Sequence, residues 1–240
     1  MRQKLDHKTY LITGASRGIG KAIAQSLHQH GAQVVLSGRD RSNLQSLSKE
    51  LGEKRVHTLP ADLSSEEGCL DLMKALKQLQ LPLDGLINNA GIGIFGSVEE
   101  TTTQAWDAIM AINARAPFLL SRECLPLLRA QGGGHIINIA SVVANKGYPN
   151  QSAYGASKHA LLGFSKAMAR EVQEDHIRVH VLCPGGVDTD MAGDSRPDLD
   201  RSILMAPDEI AETVHFLLTR RGNAVIDQID LRRNISTPWA

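Results

Sequence analysis

The fold is decided by the stretch Thr13-Gly14-Ala15-Ser16-Arg17-Gly18-Ile19-Gly20, which follows the apolar run 10–12 and precedes the helix-like stretch 21–30. Gly14 permits a tight turn, Gly18 leaves space where a phosphate approaches the backbone, and Gly20 lets a helix pack closely against its strand. The amides and the positive dipole at the start of that helix would face a pyrophosphate. The stretch therefore predicts a nucleotide-binding turn between a strand and a helix.

The glycine spacing of this turn is less specific than its surroundings. It reads G-x-x-x-G-x-G, whereas the common dinucleotide fingerprint is G-x-G-x-x-G, and many glycine-rich turns bind nothing. A strand precedes the turn, a helix follows it, and residues 32–37 form the next apolar run. This order is a βαβ unit of the expected size, which favours the nucleotide-binding interpretation.

Length and composition restrict the class of protein. The chain has 240 residues, 42% of them hydrophobic, which suits one large α/β domain over residues 1–240. Lys plus Arg equals Asp plus Glu at 26 each, so no net charge attracts the protein to nucleic acid or to an acidic membrane surface. No apolar run reaches the ~18 residues of a membrane span. We expect a cytoplasmic protein with neither nucleic-acid nor membrane partners.

Neither the cysteines nor the histidines form a metal-binding pattern. Cys69, Cys124 and Cys183 are widely spaced in apolar sequence, which is typical of reduced core thiols. His176 and His180 flank one predicted strand, but no carboxylate or thiolate pattern joins them. We therefore expect no metal site.

Strand-like and helix-like segments alternate along the chain. The predicted strands are 10–12, 32–37, 55–59, 83–88, 135–140, 177–183 and 224–231. The predicted helices are 21–30, 40–51, 64–80 (opened by a Ser64/Glu67 capping box), 103–113 and 116–131 as one helix interrupted at Pro117, 151–173 and 207–219. This alternation predicts an α/β fold of the Rossmann type, a doubly wound, mostly parallel seven-stranded sheet with helices on both faces.

A tyrosine and a lysine on the long helix 151–173 can share one site. Tyr154 and Lys158 are four residues apart, so their side chains lie on the same helix face. A nearby ammonium favours the phenolate and would lower the tyrosine pKa, which suits a general acid or base for a carbonyl or alcohol. The alternative is an ordinary half-exposed helix face. Ser141 ends the fifth strand, at the sheet edge where such folds bind ligands, and its hydroxyl could orient a carbonyl oxygen.

Six motifs occur in the order found in one enzyme family. They are Thr13 to Gly20, Asn88-Asn89-Ala90-Gly91, Asn113, Ser141, Tyr154-x-x-x-Lys158 and Pro184-Gly185. Over residues 8–190 the sequence resembles the classical short-chain dehydrogenases/reductases, in particular the branch of 3-oxoacyl-acyl-carrier-protein reductases and small carbonyl reductases.

The resemblance implies a role for each motif. Tyr154 would be the catalytic acid/base, Ser141 would hydrogen-bond the substrate oxygen, Lys158 would hold the nicotinamide ribose and lower the tyrosine pKa, and Asn113 would complete a proton relay through water. The implied cofactor-binding residues are Gly14, Ser16, Arg17, Gly18, Ile19, Gly20, Ser37, Arg39, Asp62, Leu63, Asn89, Ala90, Gly91, Tyr154, Lys158, Pro184, Gly185, Val187 and Thr189.

The end of the second strand indicates which cofactor is bound. An NAD site places a carboxylate about 20 residues past the glycine turn, but this chain has Gly38 there. The next residue, Arg39, offers a cation that can bind a 2'-phosphate, and Arg17 can approach from the other side. Asp40 opposes this interpretation, although it also suits the cap of the following helix. We expect NADP(H).

The sequence leaves several functions and partners open. The leading hypothesis is a reductase of a small-molecule carbonyl/alcohol substrate. The alternatives are a catalytically silent NADP(H)-binding sensor or scaffold module, and an NAD-linked alcohol dehydrogenase. Residues 189–205 are either a surface loop or a lid over the substrate. Helices 103–131 and 151–173 carry apolar residues on more than one face, which predicts a homodimer or homotetramer. The residues concerned include Leu161, Leu162, Phe164 and Met168.

Overall fold

A computed structural model describes residues 5–195 and 200–238. Seven parallel strands form one sheet in the order β3-β2-β1-β4-β5-β6-β7. The strands are β1 Thr9–Thr13, β2 Gln33–Gly38, β3 Val56–Pro60, β4 Gly85–Asn88, β5 Gly134–Ile139, β6 Ile177–Pro184 and β7 Gln228–Leu231. The predicted Rossmann-type sheet is confirmed. Its order reverses between β1 and β4, which opens a crevice at the carboxyl ends of these strands.

Helices connect the strands and cover both faces of the sheet. They are α1 Gly18–Gln29, α2 Arg41–Glu50, α3 Glu66–Gln78, α4 Thr103–Met110, α5 Ala116–Ala130, α6 Ser152–Glu171, α7 Asp190–Ser195 and α8 Pro207–Thr219. A π-helical turn, Ala111–Arg115, joins α4 to α5, and 3₁₀ turns occupy Val142–Ala144 and Arg201–Ile203.

Alternating residues of the central strands belong to two different cores. Ile12 and Leu36 pack with residues of α1 and α8, whereas their neighbours Leu11 and Val35 pack with residues of α3 and α5. All four side chains are fully buried. Because successive strand residues point to opposite faces, a sheet that is covered on both sides favours consecutive apolar residues, which these strands have at 10–12 and 34–36.

Three local predictions were wrong in their details. The cap of α3 is Ser65, whose hydroxyl accepts from the Gly68 amide at 3.0 Å, and not Ser64. The interruption of the long helix is the π turn Ala111–Arg115, and Pro117 lies just beyond it, at the second position of α5. The last strand begins at Gln228 instead of residue 224. Asp40, by contrast, caps α2 as expected, accepting from the Asn43 amide at 3.0 Å.

The segment that the sequence left as a loop or a lid contains short helices. It holds α7 and the 3₁₀ turn Arg201–Ile203, while residues 196–199 lie outside the described part. Val187 and Met205 form an isolated parallel bridge at its base. The segment is therefore anchored by this bridge near both of its ends, after β6 and before α8.

The cysteines lie where their apolar sequence surroundings predict. All three cysteines are free and buried. Within residues 5–195 and 200–238, no group of three or more potential metal ligands comes together, and no helix has the length and apolarity needed to cross a bilayer.

A pair of histidines in β5 and β6 makes stability depend on pH. His135 and His180 stack with ring centroids 5.4 Å apart, and burial lowers the pKa of His135 to about 3. The unfolded chain takes up this proton near pH 6.5, so the unfolded state binds more protons between the two values, and stability falls as pH falls through that window. At pH 5 this one group should cost about 2 kcal/mol relative to pH 7. Urea unfolding at both pH values should show a smaller loss for His135→Gln than for wild type.

The exposed His159 is the control for this experiment. His159→Gln should keep the pH dependence of the wild type. An identical pH dependence in wild type and His135→Gln would contradict the assignment.

Candidate active site

The glycine-rich turn has the shape that an anion-binding helix start requires. Gly14 and Gly18 have φ values of +63° and +54°, in the left-handed region that favours glycine. A Cβ at Gly20 would overlap the carbonyl of Gly14, so only glycine lets α1 pass this close to β1. Among the described residues, Arg17 caps α1 with extended backbone and no side-chain hydrogen bond. The first amides of α1 are therefore left to face an anion.

The loop after β4 braces this turn. The Asn89 amide nitrogen Nδ2 donates to the carbonyls of Thr13 and Gly14 at 3.0 and 3.2 Å. In return, Thr13 Oγ1 accepts from the backbone amides of Asn89 and Ala90, both at 3.0 Å. Asn89 and Ala90, predicted as cofactor residues, thus lie at the site and hold the ends of β1 and β4 together.

Polar and cationic side chains surround the end of β2. Ser37 Oγ is buried and, among the described residues, has no hydrogen-bond partner. A Cβ added at Gly38 would lie 3.5 Å from Ser16 Oγ. The Ser16 hydroxyl is therefore next to Gly38, which has no side chain. Arg17 and Arg39 are exposed beside it. This corner offers hydroxyl donors and two cations to a ligand.

The two arginines also contact acidic residues of this chain. Arg17 Nη1 lies 3.3 Å from Asp190 Oδ2, an exposed ion pair between the glycine turn and α7. Hydrogen bonds from Ser64 hold the pKa of Asp62 below its usual range, and the charge of Arg39 contributes a smaller part. Asp62 Oδ1 accepts from the Ser64 amide at 3.0 Å. Sequence reasoning missed Asp190, which is 173 residues from its partner.

Ser141, Tyr154 and Lys158 meet at the carboxyl end of β5. Lys158 is 4% exposed, and its Nζ donates to the Ile139 carbonyl at 3.0 Å. The same nitrogen lies 5.8 Å from the centre of the Tyr154 ring. Ser141 follows β5 and begins the 3₁₀ turn, with the Val143 amide 3.4 Å from its hydroxyl. The helix spacing and the strand end therefore bring these three side chains into one pocket.

Burial shifts the pKa values of Tyr154 and Lys158 in opposite directions. It raises the pKa of Tyr154, and a hydrogen bond with Ser141 opposes that change. It lowers the pKa of Lys158 to about 8, while the nearby Cys183 acts in the opposite direction. The tyrosine shift is opposite to the lowering expected from Lys158. In both residues burial favours the neutral form, and it outweighs the neighbouring groups.

Asn113 joins the site through the π turn. Its Oδ1 accepts from the Ile92 amide, and its Nδ2 donates to the Ile92 carbonyl, both at 2.9 Å. Asn113 Nδ2 also donates to Ser157 Oγ at 3.1 Å, and Ser157 Oγ donates to the Tyr154 carbonyl at 2.7 Å. Asn113 thereby connects the loop after β4 with the helix of Tyr154. Sequence reasoning did not identify Ile92 or Ser157, because neither carries a reactive group.

The other predicted positions surround the same crevice. A Cβ at Gly91 would lie 3.3 Å from Asn113 Oδ1 and 3.6 Å from Lys158 Nζ. A Cβ at Gly18 would lie 3.2 Å from the Thr189 methyl carbon. Pro184 ends β6, and Gly185 and Val187 follow it at the same sheet edge.

Two predicted cofactor residues turn their side chains elsewhere. Leu63 is buried in the core beside α3, and Ile19 packs on the core beneath α1. Leu63 offers a ligand mainly its backbone, because its side chain is buried, whereas Ile19 is partly exposed. The prediction at Leu63 is therefore restricted to main-chain contact.

The order of these elements and side chains is that of a known family. A family model described as short chain dehydrogenase matches residues 8–200. The chain belongs to the short-chain dehydrogenase family. A curated relative, an uncharacterized oxidoreductase of Staphylococcus aureus strain N315, is 32% identical over 228 residues, which are 95% of this chain and 98% of that protein.

Solved structures of this family have the same fold. An alcohol dehydrogenase from Thermococcus sibiricus, complexed with 5-hydroxy-NADP, is 29% identical with a TM-score of 0.88, covering 96% of this chain and 98% of that one. A 3-oxoacyl (acyl-carrier-protein) reductase from Agrobacterium tumefaciens, with NADP bound, is 26% identical with a TM-score of 0.88, covering 95% and 94%. The chain is thus an oxidoreductase of this family, similar to proteins that bind NADP.

The brace between β1 and β4 can be tested at Thr13. Thr13→Val keeps the shape but removes the oxygen that accepts from two amides, and an unpaired buried donor costs about 1 to 3 kcal/mol. Urea unfolding should show Thr13→Val destabilised by at least the lower figure. Thr13→Ser keeps the hydroxyl and is the matched control. Equal stability of the two variants would show that the hydroxyl does not hold the turn.

Proposed function

We propose that this protein is an NADP(H)-dependent reductase that converts a carbonyl group to an alcohol, with Tyr154 as the general acid. The observation that carries the proposal is the meeting of Ser141, Tyr154 and Lys158 at the same sheet edge as the glycine-rich turn. A silent nucleotide-binding module would have no use for this proton-transfer set. The substrate is a small molecule with a ketone or aldehyde group.

The residues at the end of β2 fit an NADP(H) cofactor. At the end of β2, the hydroxyl of Ser37 has no partner among the described residues, and the Ser16 hydroxyl lies beside Gly38, which carries no side chain where an NAD site would place a carboxylate. Arg17 and Arg39 add the cations that a 2'-phosphate requires. Asp40, the one carboxylate nearby that argued for NAD, is occupied as the cap of α2. These features support NADP(H) over NAD(H).

The reaction divides between the cofactor and the side chains of this chain. A reduced nicotinamide supplies a hydride to the carbonyl carbon. The Ser141 hydroxyl orients the carbonyl oxygen, and Tyr154 Oη donates its proton to that oxygen as negative charge develops there. Because burial raises the pKa of Tyr154, the hydroxyl holds its proton at neutral pH and is ready to act as an acid.

Lys158 and Asn113 support the tyrosine in different ways. Burial brings the pKa of Lys158 to about 8, so near neutral pH it remains an ammonium that can hold a ribose hydroxyl and stabilise charge on Tyr154. The side-chain hydrogens of Asn113 are both engaged, by Ile92 and Ser157. In a proton relay through water, the backbone carbonyl of Asn113 would therefore accept a hydrogen bond from the water, while the Asn113 side chain positions the helix of Tyr154.

The oligomer proposal now rests on different residues. Leu161, Leu162 and Met168, which suggested a second apolar face on α6, are buried within the chain itself. Apolar surface remains at the edge-to-face pair of Phe118 and Phe164, with Phe118 44% exposed. Aromatic surface of this kind on α5 and α6 supports a homodimer or homotetramer formed along these helices.

Removal of the Tyr154 hydroxyl tests the assigned mechanism. Tyr154→Phe should bind NADPH normally and lose about 10²- to 10⁴-fold in kcat, because only the acidic group is removed. Fluorescence titration measures cofactor binding, and NADPH oxidation with a ketone that the wild type reduces measures turnover, so the two effects are separated. More than half of the wild-type activity in this variant would overturn the mechanism.

Cofactor choice is tested at Arg39. Arg39→Ala should weaken NADPH by about tenfold to a hundredfold in kcat/KM, because a hydrogen bond to a charged group contributes ~1.5 to 3 kcal/mol, while NADH should change little. Arg41, exposed at the start of α2, gives the matched control Arg41→Ala. Equal or better use of NADH by the wild type would overturn the NADP(H) assignment.

A further inference from the structure

An aromatic ring outside the proton-transfer set covers one side of Tyr154. The Phe95 and Tyr154 ring centroids are 5.3 Å apart with an interplanar angle of 67°, an edge-to-face contact. Phe95 is nevertheless 36% exposed. The ring therefore contacts the proposed general acid on one side and remains open to solvent on another.

Backbone contacts fix the loop of Phe95 to the helix of Tyr154. The Gly96 amide donates to the Asn150 carbonyl at 2.9 Å, and Gly96 pairs with Gln151 in an isolated parallel bridge. Both partners directly precede α6, four and three residues before Tyr154. Because Gly96 is joined to the start of this helix, Phe95, the residue before it, is held beside the tyrosine.

A second loop reaches the same ring. A Cβ added at Gly93 would lie 2.7 Å from Phe95 Cζ and 3.6 Å from Met191 Sδ. The phenyl ring thus lies over Gly93, in the space that a side chain there would occupy, and the Met191 sulfur of α7 lies close to the same position. Loops that follow two different strands, β4 and β6, contribute an aromatic ring and a thioether to one apolar surface.

We propose that Phe95 and Met191 form a subsite for an aromatic group attached to the substrate carbonyl, so that the substrates are aryl ketones or aryl aldehydes. This inference rests on the proposed reductase function. A carbonyl oxygen placed at Tyr154 Oη puts its substituent beside the tyrosine ring, where the Phe95 ring lies. Rings favour edge-to-face contact with other rings and contact with sulfur, whereas a charged substituent would lose its hydration there.

Two ketones of similar shape test the subsite. Acetophenone carries an aromatic ring and cyclohexyl methyl ketone a saturated one, so the ratio of their kcat/KM values with NADPH measures recognition of aromaticity. The wild type should prefer acetophenone. In Phe95→Ala that preference should fall by about three- to tenfold, mainly through KM, since an aromatic pair contributes this much beyond its buried area. Phe95→Leu, which keeps an apolar side chain of similar size, should lose the preference as well.

A neighbouring apolar residue supplies the control. Val98 lies in the same segment between β4 and α4 and is 74% exposed. Val98→Ala should leave the ketone preference unchanged. Reduction of both ketones with a ratio that stays within about twofold of wild type in the Phe95 variants would overturn the subsite alone. A wild type that prefers the cyclohexyl ketone would do the same. A wild type that reduces neither ketone with NADPH would overturn the proposed function itself.

Discussion

The hydroxyl of Thr13 and the amide of Asn89 form the contact on which the rest of the crevice depends. They join the carboxyl ends of β1 and β4, the point at which the strand order reverses, through four hydrogen bonds of 3.0 to 3.2 Å. Two parallel strands diverge once their ladder ends, because no further backbone bonds hold them. The side chains of Thr13 and Asn89 take over from that ladder. They hold the glycine-rich turn and the loop of Gly91 at a fixed distance from each other.

Burial is the second constraint that connects the parts of the site. One apolar environment raises the pKa of Tyr154 and lowers that of Lys158 to about 8. In a buried environment, the protonation equilibria of an acid and of a base both shift toward the neutral form. The pocket thus favours a protonated phenol, and it leaves the lysine close to the pH at which small changes in its surroundings alter its charge.

Much of this architecture was predictable because its signals are local. The glycines of the first turn, the alternation of strands and helices, and the four-residue spacing of Tyr154 and Lys158 each depend on neighbours in sequence. The wrong details came from choices that local sequence leaves open. Ser64 and Ser65 are equally good caps by composition, and only the path of the chain selects the second. Similarly, the periodicity of α6 could not distinguish cover by the chain's own sheet from cover by a second subunit.

The long-range contacts of the site had no sequence signal at all. Arg17 meets Asp190, and Phe95 meets Tyr154, only because the sheet brings the loops after different strands to one edge. The chemistry of each residue was visible in the sequence, but its partner depends on the order of strands and on the lengths of the loops.

The π turn Ala111–Arg115 has a consequence for how the long helical segment is shared between neighbours. A π turn closes its hydrogen bond one residue later than an α turn, so it adds one residue to the helix and rotates everything beyond it by roughly 100°. The phase of the apolar stripe therefore shifts between the two halves, and α4 packs on α6 whereas α5 packs mainly on α3. One inserted residue lets the two halves of one long helix pack against two different neighbouring helices, and the π turn itself lies where Asn113 enters the crevice.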